Sequence, residues 1–553
     1  MKRLWLLAAL LAVGPAAGST QTIEELVNDG RNTDNVTTES MGYDRKSYSP
    51  LKQINTSNVK RLVPIWSTSL MNDLGELAAP TVYEGVLYAI NGRWTFAIDI
   101  ETGRQLWRTA VTTEPGFQRE SAFTRGAATI YNGKVFRVTI DNHVLALDMK
   151  TGKEVWNQKF ADWREGYYAT SAPIVANGVL ISGMAGGEST TRGFLDGWDP
   201  ETGTKLWRRH TIPAPGEPGS ETWPSNSDAW KVGGGPTWRS GSYDPQLDLV
   251  YWGVGNAEPY DPRPREAMDS LYTSSVLAIR PKTGEIVCHY QYTPNDVYDV
   301  DGTDEPVLAD IQIGGRLRKV MIQANKNGFM YVLDRTNCTL IAANAYVKVN
   351  WATRIDLATA RPVLSDVYKR FLAGEEVEIW PSRGTNAVPI AFNPNTGLVY
   401  ASTWNLPRIQ KLAPPRPQVS GTSSTGITSR LPQTRPGDVL GYFAAVSPLT
   451  GGKKWEVPLT DLPSSSGMLV TGGGLVFTGK LSGEFIALDE KTGRTLWQFK
   501  TGSSVNSTAI TYTHKGRQYV TVASGLGGGL ATRYAANTVP TGGSVWTFAL
   551  MND

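Results

Sequence analysis

One phrase recurs along the chain and decides its fold. Residues 97–107 read AIDIETGRQLW, residues 146–156 read ALDMKTGKEVW, and residues 487–497 read ALDEKTGRTLW. In each copy an apolar strand ends at the aspartate, and the Thr-Gly pair supplies a turn in which glycine can adopt a positive φ. The next strand then carries the tryptophan. Because one such hairpin cannot bury its own apolar face, the copies are expected to stack against one another.

Eight copies of this phrase can be recognised. Besides the three quoted copies, two keep the tryptophan, at Asp199 to Trp207 and Ala445 to Trp455. Three more are degenerate, at Thr283 to Cys288, Asp334 to Cys338, and Thr396-Gly397. Spacings of about 40 to 80 residues are typical of four-stranded blades with variable loops. We therefore predict an all-β fold, an eight-bladed β-propeller whose repeat tryptophans connect neighbouring blades. Trp66 and the C-terminal strand from Val545 to Leu550 are expected to close the ring.

Two segments interrupt the repeats. Residues 357–380 are predicted to form a partly helical insertion, and residues 406–437, rich in Pro, Ser, Thr and Arg, to form a long irregular loop. On a propeller such loops lie on a face. Either segment could cover an active-site funnel, or it could be a solvated, mobile loop.

The N-terminus resembles an export signal. Lys2 and Arg3 precede an apolar run over residues 4–13 and small residues up to Gly18. This pattern predicts a signal peptide over residues 1–18, a propeller domain over residues 19–553, and export to the periplasm. A membrane anchor is the alternative, but the apolar run is short for a span and no later stretch approaches about 20 apolar residues.

Charge and cysteine content limit the possible partners. The net charge is +3 and basic residues are not clustered, which gives no support to nucleic-acid binding. Cys288 and Cys338 are the two cysteines, and they could pair in an oxidising compartment. No Cys-x-x-Cys-His motif occurs, so a c-type haem is not attached to this chain and the electron acceptor must be a separate partner.

Residues 48–55 read YSPLKQIN and residues 58–62 read NVKRL. Together with the tryptophan repeats, these phrases resemble the methanol and ethanol dehydrogenases that depend on pyrroloquinoline quinone (PQQ), over nearly the whole mature chain. The resemblance implies oxidation of an alcohol with PQQ and a metal ion as cofactors. A non-catalytic propeller scaffold of the outer-membrane assembly type, or a sugar-binding propeller lectin, would share the repeats but not the site residues.

Three segments match the metal and catalytic motifs of that family. Residues 186–188 read GGE, residues 253–256 read GVGN, and residues 293–302 read TPNDVYDVDG. The resemblance implies that Glu188, Asn256 and Asp299 bind the metal and that Asp299 is the catalytic base. Hard oxygen ligands suit a cation that polarises the quinone carbonyl. Each segment alone would also fit an ordinary turn.

Asp301 bears on the identity of the metal. Calcium enzymes of the family usually carry alanine at this position, whereas relatives that use lanthanides carry an aspartate ligand. The resemblance therefore implies that Asp301 is a fourth metal ligand, and both Ca²⁺ and a lanthanide ion remain open. The alternative is that Asp301 caps the Asp-Gly turn at Gly302.

The remaining site residues are assigned to the cofactor by the same resemblance. Lys326 is expected to hydrogen-bond the quinone oxygens and to stabilise negative charge during catalysis. Trp238 is expected to stack on the ring. The other predicted cofactor contacts are Arg125, Thr139, Thr170, Gly186, Gly187 and Asn386.

Two departures from the family pattern concern the substrate. The best-known members place two adjacent cysteines six residues before the arginine, but this chain has Arg119-Glu120 there. Ser465 aligns with a tryptophan that helps to wall the pocket of the small-alcohol enzymes. These departures favour a divergent one-domain member that oxidises a bulky or secondary alcohol, polyol, sugar or terpenoid alcohol. A soluble cytochrome c or similar protein is the expected electron acceptor.

Overall fold

The computed structural model describes residues 21–71, 76–118, 126–386, 388–415, 417, 419, 421–423, 425–464, 466–528, 534–535 and 537–551. The predicted signal peptide, Arg119-Glu120, Arg125 and Ser465 lie outside the described residues. Within them, eight sheets of at least four strands succeed one another along the chain, each forming one blade. The prediction of an eight-bladed β-propeller is confirmed.

Strands are numbered in chain order. The first two, β1 (Tyr48–Ser49) and β2 (Leu62–Ser69), belong to the last two blades. Blade 1 contains β3 (Thr81–Tyr83), β4 (Val86–Ile90), β5 (Trp94–Asp99) and β6 (Gln105–Ala110). Blade 2 contains β7 (Thr129–Tyr131), β8 (Lys134–Val138), β9 (His143–Asp148) and β10 (Glu154–Lys159). Blade 3 contains β11 (Ile174–Ala176), β12 (Val179–Gly183), β13 (Phe194–Trp198) and β14 (Lys205–His210).

The next three blades follow the same order. Blade 4 contains β15 (Ser242–Asp244), β16 (Leu249–Val254), β17 (Ser275–Ile279) and β18 (Ile286–Gln291). Blade 5 contains β19 (Val307–Ile313), β20 (Arg316–Ala324), β21 (Phe329–Asp334) and β22 (Leu340–Ala345). Blade 6 contains β26 (Ala391–Asn393), β27 (Leu398–Trp404), β30 (Gly441–Val446) and β31 (Lys453–Leu459).

The last two blades join the two ends of the chain. Blade 7 contains β32 (Leu469–Thr471), β33 (Leu475–Gly479), β34 (Glu484–Asp489) and β35 (Thr495–Lys500), and β1 adds to β32 in parallel. Blade 8 contains β36 (Ile510–His514), β37 (Arg517–Gly525) and β38 (Gly543–Leu550), with β2 antiparallel to β38. The N-terminal β2 is therefore the outermost strand of the final blade, which closes the ring as predicted.

Between blades 5 and 6, and within blade 6, the chain forms two small additional sheets. β23 (Ala352–Asp356) pairs with β24 (Arg361–Leu364), while β25 (Val377–Ile379), β28 (Arg408–Leu412) and β29 (Ile427–Arg430) form a three-stranded sheet. The α-helices whose bounds lie within the described residues are α1 (Ile23–Val27) and α2 (Asp366–Leu372). Single 3₁₀ turns lie at Glu39–Met41, Val59–Arg61, Trp163–Glu165, Ser220–Thr222, Ala229–Val232 and Arg263–Arg265.

Burial follows strand position within each blade. The inner strands β16 and β21 are buried along their whole length, because neighbouring blades cover both of their faces. The outer strand β6 alternates between partly buried and exposed residues, as expected for a strand with one solvated face. The cores thus lie between blades, so each blade depends on its neighbours to bury its apolar faces.

At six of the eight junctions between blades, a tryptophan connects one blade to the next. In blade 1, the Trp107 indole N–H donates to the Met149 carbonyl oxygen at 3.0 Å, and its ring covers Gly152 in the Thr-Gly turn of blade 2. A Cβ atom at Gly152 would lie 2.5 Å from that ring, so only glycine fits. The same indole-to-carbonyl bond joins five further pairs, Trp66 to Ile100, Trp156 to Pro200, Trp207 to Pro281, Trp455 to Glu490, and Trp497 to Leu62.

Two predictions about the repeats need correction. The Thr396-Gly397 copy is the turn between β26 and β27, so it lies in the same blade as the copy ending at Trp455 and marks no blade of its own. The other seven copies mark blades 1 to 7, and the eighth blade is formed from both chain ends. Residues 406–437 are not wholly irregular, because they contain β28 and β29. The segment 357–380 does contain a helix, α2, as predicted.

Candidate active site

The connections that follow the second strands of blades 3 and 5 meet the connection between blades 4 and 5 at one cavity of about 210 Å³. Glu188 follows β12, Lys326 follows β20, and Asp299 and Asp301 lie between β18 and β19. Four residues predicted from three separate motifs therefore line the same space. The other lining residues are Tyr168, Thr170, Ala185, Gly186, Gly187, Pro236, Trp238, Arg383 and Asn386.

The loop that carries Asp299 and Asp301 has an unusual backbone. Asp299 has φ +58° and Asp301 has φ +44°, a region that side-chain-bearing residues seldom occupy. Buried Asp296 stabilises this conformation, because its carboxylate accepts hydrogen bonds from the Tyr298 and Val300 N–H groups at 2.9 and 3.0 Å. The loop thus directs both carboxylates into the cavity through local hydrogen bonds rather than through regular structure.

Asp299 lies between two cations. The Lys326 ammonium is 2.8 Å from Asp299 Oδ1 and 2.8 Å from Asp301 Oδ2. The Arg408 guanidinium is 2.8 Å from Asp299 Oδ2. Burial alone would raise the pKa of the Asp299 carboxyl, but the charges of Lys326 and Arg408 outweigh it and lower the pKa to about 2. Asp299 is therefore ionised throughout the neutral range.

Glu188 has the opposite electrostatic environment. Burial, followed by the negative charges of Asp299 and Asp301, raises the pKa of the Glu188 carboxyl to about 7. The Tyr260 hydroxyl donates to Glu188 Oε1 at 3.3 Å. A carboxyl group placed beside two carboxylates in this way is stabilised in its charged form by a nearby cation.

Comparison with known proteins identifies the family. The model of the PQQ-dependent glucose/ethanol/alcohol dehydrogenase β-propeller domain matches residues 40–350 and 437–520. The chain belongs to this family of quinoprotein alcohol dehydrogenases. It is 38% identical to the quinohemoprotein alcohol dehydrogenase ADH IIB of Pseudomonas putida over 510 residues, which cover 88% of this chain and 72% of the relative.

A second sequence relative and a solved structure each align with almost the whole chain of this quinoprotein. The quinoprotein alcohol dehydrogenase PedH of Pseudomonas putida is 34% identical over 98% of this chain and 96% of its own length. A europium-containing methanol dehydrogenase superposes with a TM-score of 0.89 at 32% identity, covering 95% of this chain and all of that one. The predicted enzyme class is confirmed: the chain carries out PQQ-dependent oxidation of an alcohol, and its metal is Ca²⁺ or a lanthanide ion. A scaffold without activity is not favoured.

The residues of this quinoprotein fit a hard cation. Asn256 is fully buried, and its Oδ1 atom has no hydrogen-bond partner among the described residues. Leaving such an acceptor unsatisfied is unfavourable, and a cation would satisfy it. A Cβ at cavity-lining Gly187 would lie 3.0 Å from this oxygen, which places Asn256 directly behind the cavity wall. Among the described residues, no three acidic, histidine or cysteine side chains form a metal-binding group by themselves.

Asp301 is not simply a turn cap. Its Oδ1 atom accepts a hydrogen bond from the Asn256 backbone N–H at 2.9 Å, and its Oδ2 atom contacts Lys326. Both contacts reach outside the Asp-Gly turn. The Asp301 carboxylate therefore links Asn256, in the connection after β16, to Lys326, in the connection after β20.

The cavity also fits a flat, anionic ring. Trp238 supplies an aromatic wall, and the Thr170 hydroxyl donates to the Trp238 carbonyl oxygen at 2.9 Å, which positions this residue. Gly186 and Gly187 leave the neighbouring wall free of side chains, while Lys326 supplies positive charge for an acidic cofactor. These features suit the PQQ carboxylates and quinone oxygens.

The predicted cofactor residues do not all reach the cavity. Thr170, Gly186, Gly187, Trp238, Lys326 and Asn386 line it. Thr139 is not among the described lining residues, and its hydroxyl instead donates to Asp141 Oδ1 at 2.6 Å. Arg125 is outside the described part of the chain. The individual roles of all these residues stay predictions.

Sequence reasoning missed two arginines of this quinoprotein's site. Arg383 lines the cavity three residues before Asn386, and its proximity to that predicted contact was the available signal. Arg408 binds Asp299 from the first position of β28, 109 residues further along the chain. No motif marks Arg408, so only the folded structure reveals it.

Proposed function

We propose that Asp299 is the general base that removes the hydroxyl proton of the alcohol substrate. The observation that carries this proposal is the Asp299 carboxylate at the cavity wall, ionised and held between Lys326 and Arg408. A proton acceptor must be in the charged form before the reaction and fixed within hydrogen-bond reach of the substrate. Asp299 meets the first condition at neutral pH and is positioned to meet the second.

The residues that bind the cation and PQQ are assigned next, the cation ligands by their oxygen donor atoms. Glu188, Asn256, Asp299 and Asp301 hold the cation, since they contribute carboxylate and amide oxygens. Trp238 stacks on PQQ, and Lys326 binds its quinone oxygens. Contacts to the rest of PQQ come from Thr170, Gly186, Gly187 and Asn386, which line the cavity. Arg125 and Thr139 are assigned to the same role by the family resemblance alone.

The chemistry divides between the bound groups and the chain. When bound, PQQ supplies a two-electron acceptor whose carbonyl the cation polarises. Asp299 takes the hydroxyl proton at a carboxylate oxygen as the carbinol C–H bond breaks. Lys326 retains its proton, because burial would lower its pKa but the carboxylates of Asp299 and Asp301 outweigh this and raise it. A charged lysine can stabilise negative charge that develops beside it.

The substrate is proposed to be larger than methanol, such as a secondary alcohol, polyol, sugar or terpenoid alcohol. Ser465, in place of a wall tryptophan, and Arg119-Glu120, in place of adjacent cysteines, support this interpretation. The relative from Thauera butanivorans named 1-butanol dehydrogenase (quinone), 32% identical over 98% of this chain, is compatible with an alcohol larger than methanol.

The cellular setting is proposed from the sequence and the family. The N-terminal pattern over residues 1–18 supports export to the periplasm, where a soluble cytochrome c or a similar protein would take the electrons. Among the described helices, none is long and apolar enough to cross a membrane.

The test is reconstitution of the purified protein with PQQ and either Ca²⁺ or La³⁺, followed by dye reduction with a panel of primary, secondary and sugar alcohols. Asp299→Asn should lower kcat by about a thousandfold or more, since general-base catalysis contributes factors of that order, while PQQ absorbance shows the cofactor still bound. Asp228→Asn, at a side chain 77% exposed, is the control and should retain full activity. A fully active Asp299→Asn enzyme would refute the assignment of the base.

A further inference from the structure

Arg408 comes from a part of the chain that the family model does not match. It is the first residue of β28, within residues 351–436, which lie between the two stretches matched by the family model. Its side chain is nevertheless buried, with 7% of the residue exposed. An arginine buried at the catalytic aspartate is unusual enough to need a specific reason, because burying a guanidinium is costly unless it is paired.

One nitrogen of Arg408 holds both the backbone and the side chain of the Asp299 loop. Arg408 Nη1 donates to the Tyr298 carbonyl oxygen at 3.0 Å and to Asp299 Oδ2 at 2.8 Å. These two bonds fix the Asp299 side chain relative to the peptide that precedes it. Since Asp299 has φ +58°, its orientation depends on such contacts rather than on a strand or helix.

The two cations around Asp299 bind different oxygens. Lys326 contacts Oδ1, and Arg408 contacts Oδ2. Lys326 and Asp299 line the cavity, whereas Arg408 is not among the described lining residues. Oδ1 is therefore the oxygen paired with a cavity-lining cation, and Oδ2 is the oxygen paired with Arg408.

We propose that Arg408 is a positioning residue that clamps Asp299 Oδ2 and the Tyr298 carbonyl, and so holds Oδ1, the oxygen beside Lys326, in place to accept the proton of the alcohol. This inference rests on the proposed role of Asp299 as the base. A guanidinium does not release its proton in proteins, so Arg408 holds the carboxylate without competing for the transferred proton. Its other terminal nitrogen, Nη2, donates to the Ser382 carbonyl oxygen at 3.4 Å, which fixes the guanidinium at a third point.

The three-stranded sheet of β25, β28 and β29 is the support for this clamp. Arg408 pairs with Ile379 across β25, and its neighbour Ile409 pairs with Arg430 across β29. Ile379 and Phe371 of α2 are both buried in the core that also contains Tyr298. The insertion therefore packs against the catalytic loop through apolar side chains and fixes the orientation of its charged residue.

The test compares Arg408→Gln and Arg408→Lys with a matched control, Arg430→Gln. Arg430 lies in the same sheet, but its side chain is 59% exposed and pairs with Glu376 at the surface. For Arg408→Gln we expect kcat to fall about 10- to 100-fold, the effect of a slightly misplaced catalytic group, with KM changed less than about threefold. The kinetic isotope effect with alcohol deuterated at the carbinol carbon should rise. Arg408→Lys should recover part of the lost rate, and Arg430→Gln should match the wild type.

Three readouts besides rate separate positioning from a purely structural role. The thermal midpoint and the PQQ titration of Arg408→Gln should stay near wild type, and a crystal structure should show the Asp299 carboxylate rotated. A wild-type kcat in Arg408→Gln would overturn the inference. So would joint loss of stability and PQQ binding without any recovery in Arg408→Lys.

Failure of this inference can be distinguished from failure of the proposed function. If Asp299→Asn is fully active, the proposed base is wrong and the clamp has no catalytic purpose. If Asp299→Asn is inactive while Arg408→Gln has wild-type kcat and isotope effect, the base stands and only the clamp is refuted.

Discussion

Cys288 of β18 and Cys338 in the turn after β21 form a disulfide bond with their Cα atoms 5.8 Å apart. Cys288 pairs with Ala278 just before a β-bulge, the register position that Trp107 occupies opposite Ala97. At six other junctions a tryptophan joins one blade to the turn of the next. The disulfide therefore replaces the tryptophan contact between blades 4 and 5, which explains why cysteine stands in the tryptophan position of that repeat.

Reducing this disulfide should destabilise the propeller. The bond closes a loop with a sequence separation of 50, and the chain-entropy relation gives about 4 kcal/mol for a loop of that size. We expect a thiol reductant to lower the midpoint of chemical or thermal unfolding of the wild-type protein. The measurement is the unfolding midpoint by circular dichroism with and without reductant.

A double variant provides the control. Cys288→Ala combined with Cys338→Ala should unfold near the midpoint of the reduced wild type and should not respond to reductant. If reductant leaves the wild-type midpoint unchanged while free thiols are detected, the bond does not stabilise this junction.

The junction between blades 5 and 6 shows a second replacement. Ala342 stands at the register position of tryptophan, opposite Val332, and Asn344 two residues further donates to the Leu449 carbonyl oxygen at 3.0 Å. The blade-to-blade hydrogen bond is thus retained with a smaller side chain. All eight junctions of the ring consequently have a specific contact, but only six use tryptophan.

Two glycines of blade 2 can isolate the energy of tryptophan docking. Gly152 and Gly133 have nearly equal φ values, +70° and +72°, but a Cβ at Gly152 would lie 2.5 Å from Trp107 while one at Gly133 would meet nothing within 4 Å. Gly133→Ala should cost about 1 kcal/mol from backbone strain alone. Gly152→Ala should cost about 2 kcal/mol more, because the indole must shift as well.

Unfolding midpoints of the two alanine variants check this prediction, and specific activity of the folded fraction should be unaffected in both. Equal destabilisation by the two substitutions would mean that the ring contact over Gly152 contributes little to the junction.

The repeats allowed the fold to be predicted because each copy contains its own strand end, turn and docking residue within about eleven residues. β28 and β29 could not be predicted in the same way. Residues 408–412 read RIQKL and precede Pro414 and Pro415. Polar and apolar residues do not alternate in this short stretch, and the prolines after it favour a loop. These strands form because β25 offers a paired edge, which is a tertiary effect.

The site was predictable where its residues stand in contiguous motifs. Glu188, Asp299, Asp301 and Lys326 were located from short segments, and the fold brings them to one cavity. Arg408 has no motif and lies 109 residues from its partner, so sequence could not connect the two. The pairing of Cys288 with Cys338 was left open for a similar reason, since sequence does not give Cα separations.

His210 should make stability depend on pH in a defined direction. Burial, followed by the charges of Arg192 and Arg208, lowers the pKa of His210 to about 4, although the hydrogen bond with the Gly193 backbone and the charge of Glu217 act in the opposite sense. The unfolded chain has a histidine pKa of about 6.5. The contribution of neutral His210 is therefore fully present above about pH 6.5 and is lost as pH falls toward about 4.

Replacement of His210 by phenylalanine tests this dependence. The His210 ring packs edge-on against Phe194, with centroids 6.1 Å apart, so Phe is close in shape. Between pH 7 and pH 4.5 the wild type should lose more stability than His210→Phe, as measured by urea midpoints at each pH. Parallel pH profiles for the two proteins would show that His210 does not titrate as inferred.

Asp301 should determine how strongly the site prefers a trivalent cation. Its Oδ1 atom accepts the Asn256 N–H bond, so Asp301→Asn keeps that acceptor and removes one negative charge. Coulomb attraction is proportional to the cation charge. The attraction lost with one carboxylate charge is therefore about 1.5 times larger for La³⁺ than for Ca²⁺. We expect the preference for La³⁺ over Ca²⁺ to fall about tenfold or more in Asp301→Asn, a difference of about 1.4 kcal/mol.

Cation titration of the apo-protein measures this preference, with Tb³⁺ luminescence for the lanthanide and chelator competition for Ca²⁺. Asp310→Asn, at a half-exposed side chain paired with Arg335, controls for a general change in protein charge and should leave both affinities unchanged. Unchanged affinity for both cations in Asp301→Asn would instead indicate that Asp301 acts only as the acceptor of the Asn256 N–H bond. That outcome would leave Glu188, Asn256 and Asp299 as the cation ligands and would favour Ca²⁺, because a donor set with one fewer carboxylate has less charge to offer a trivalent ion.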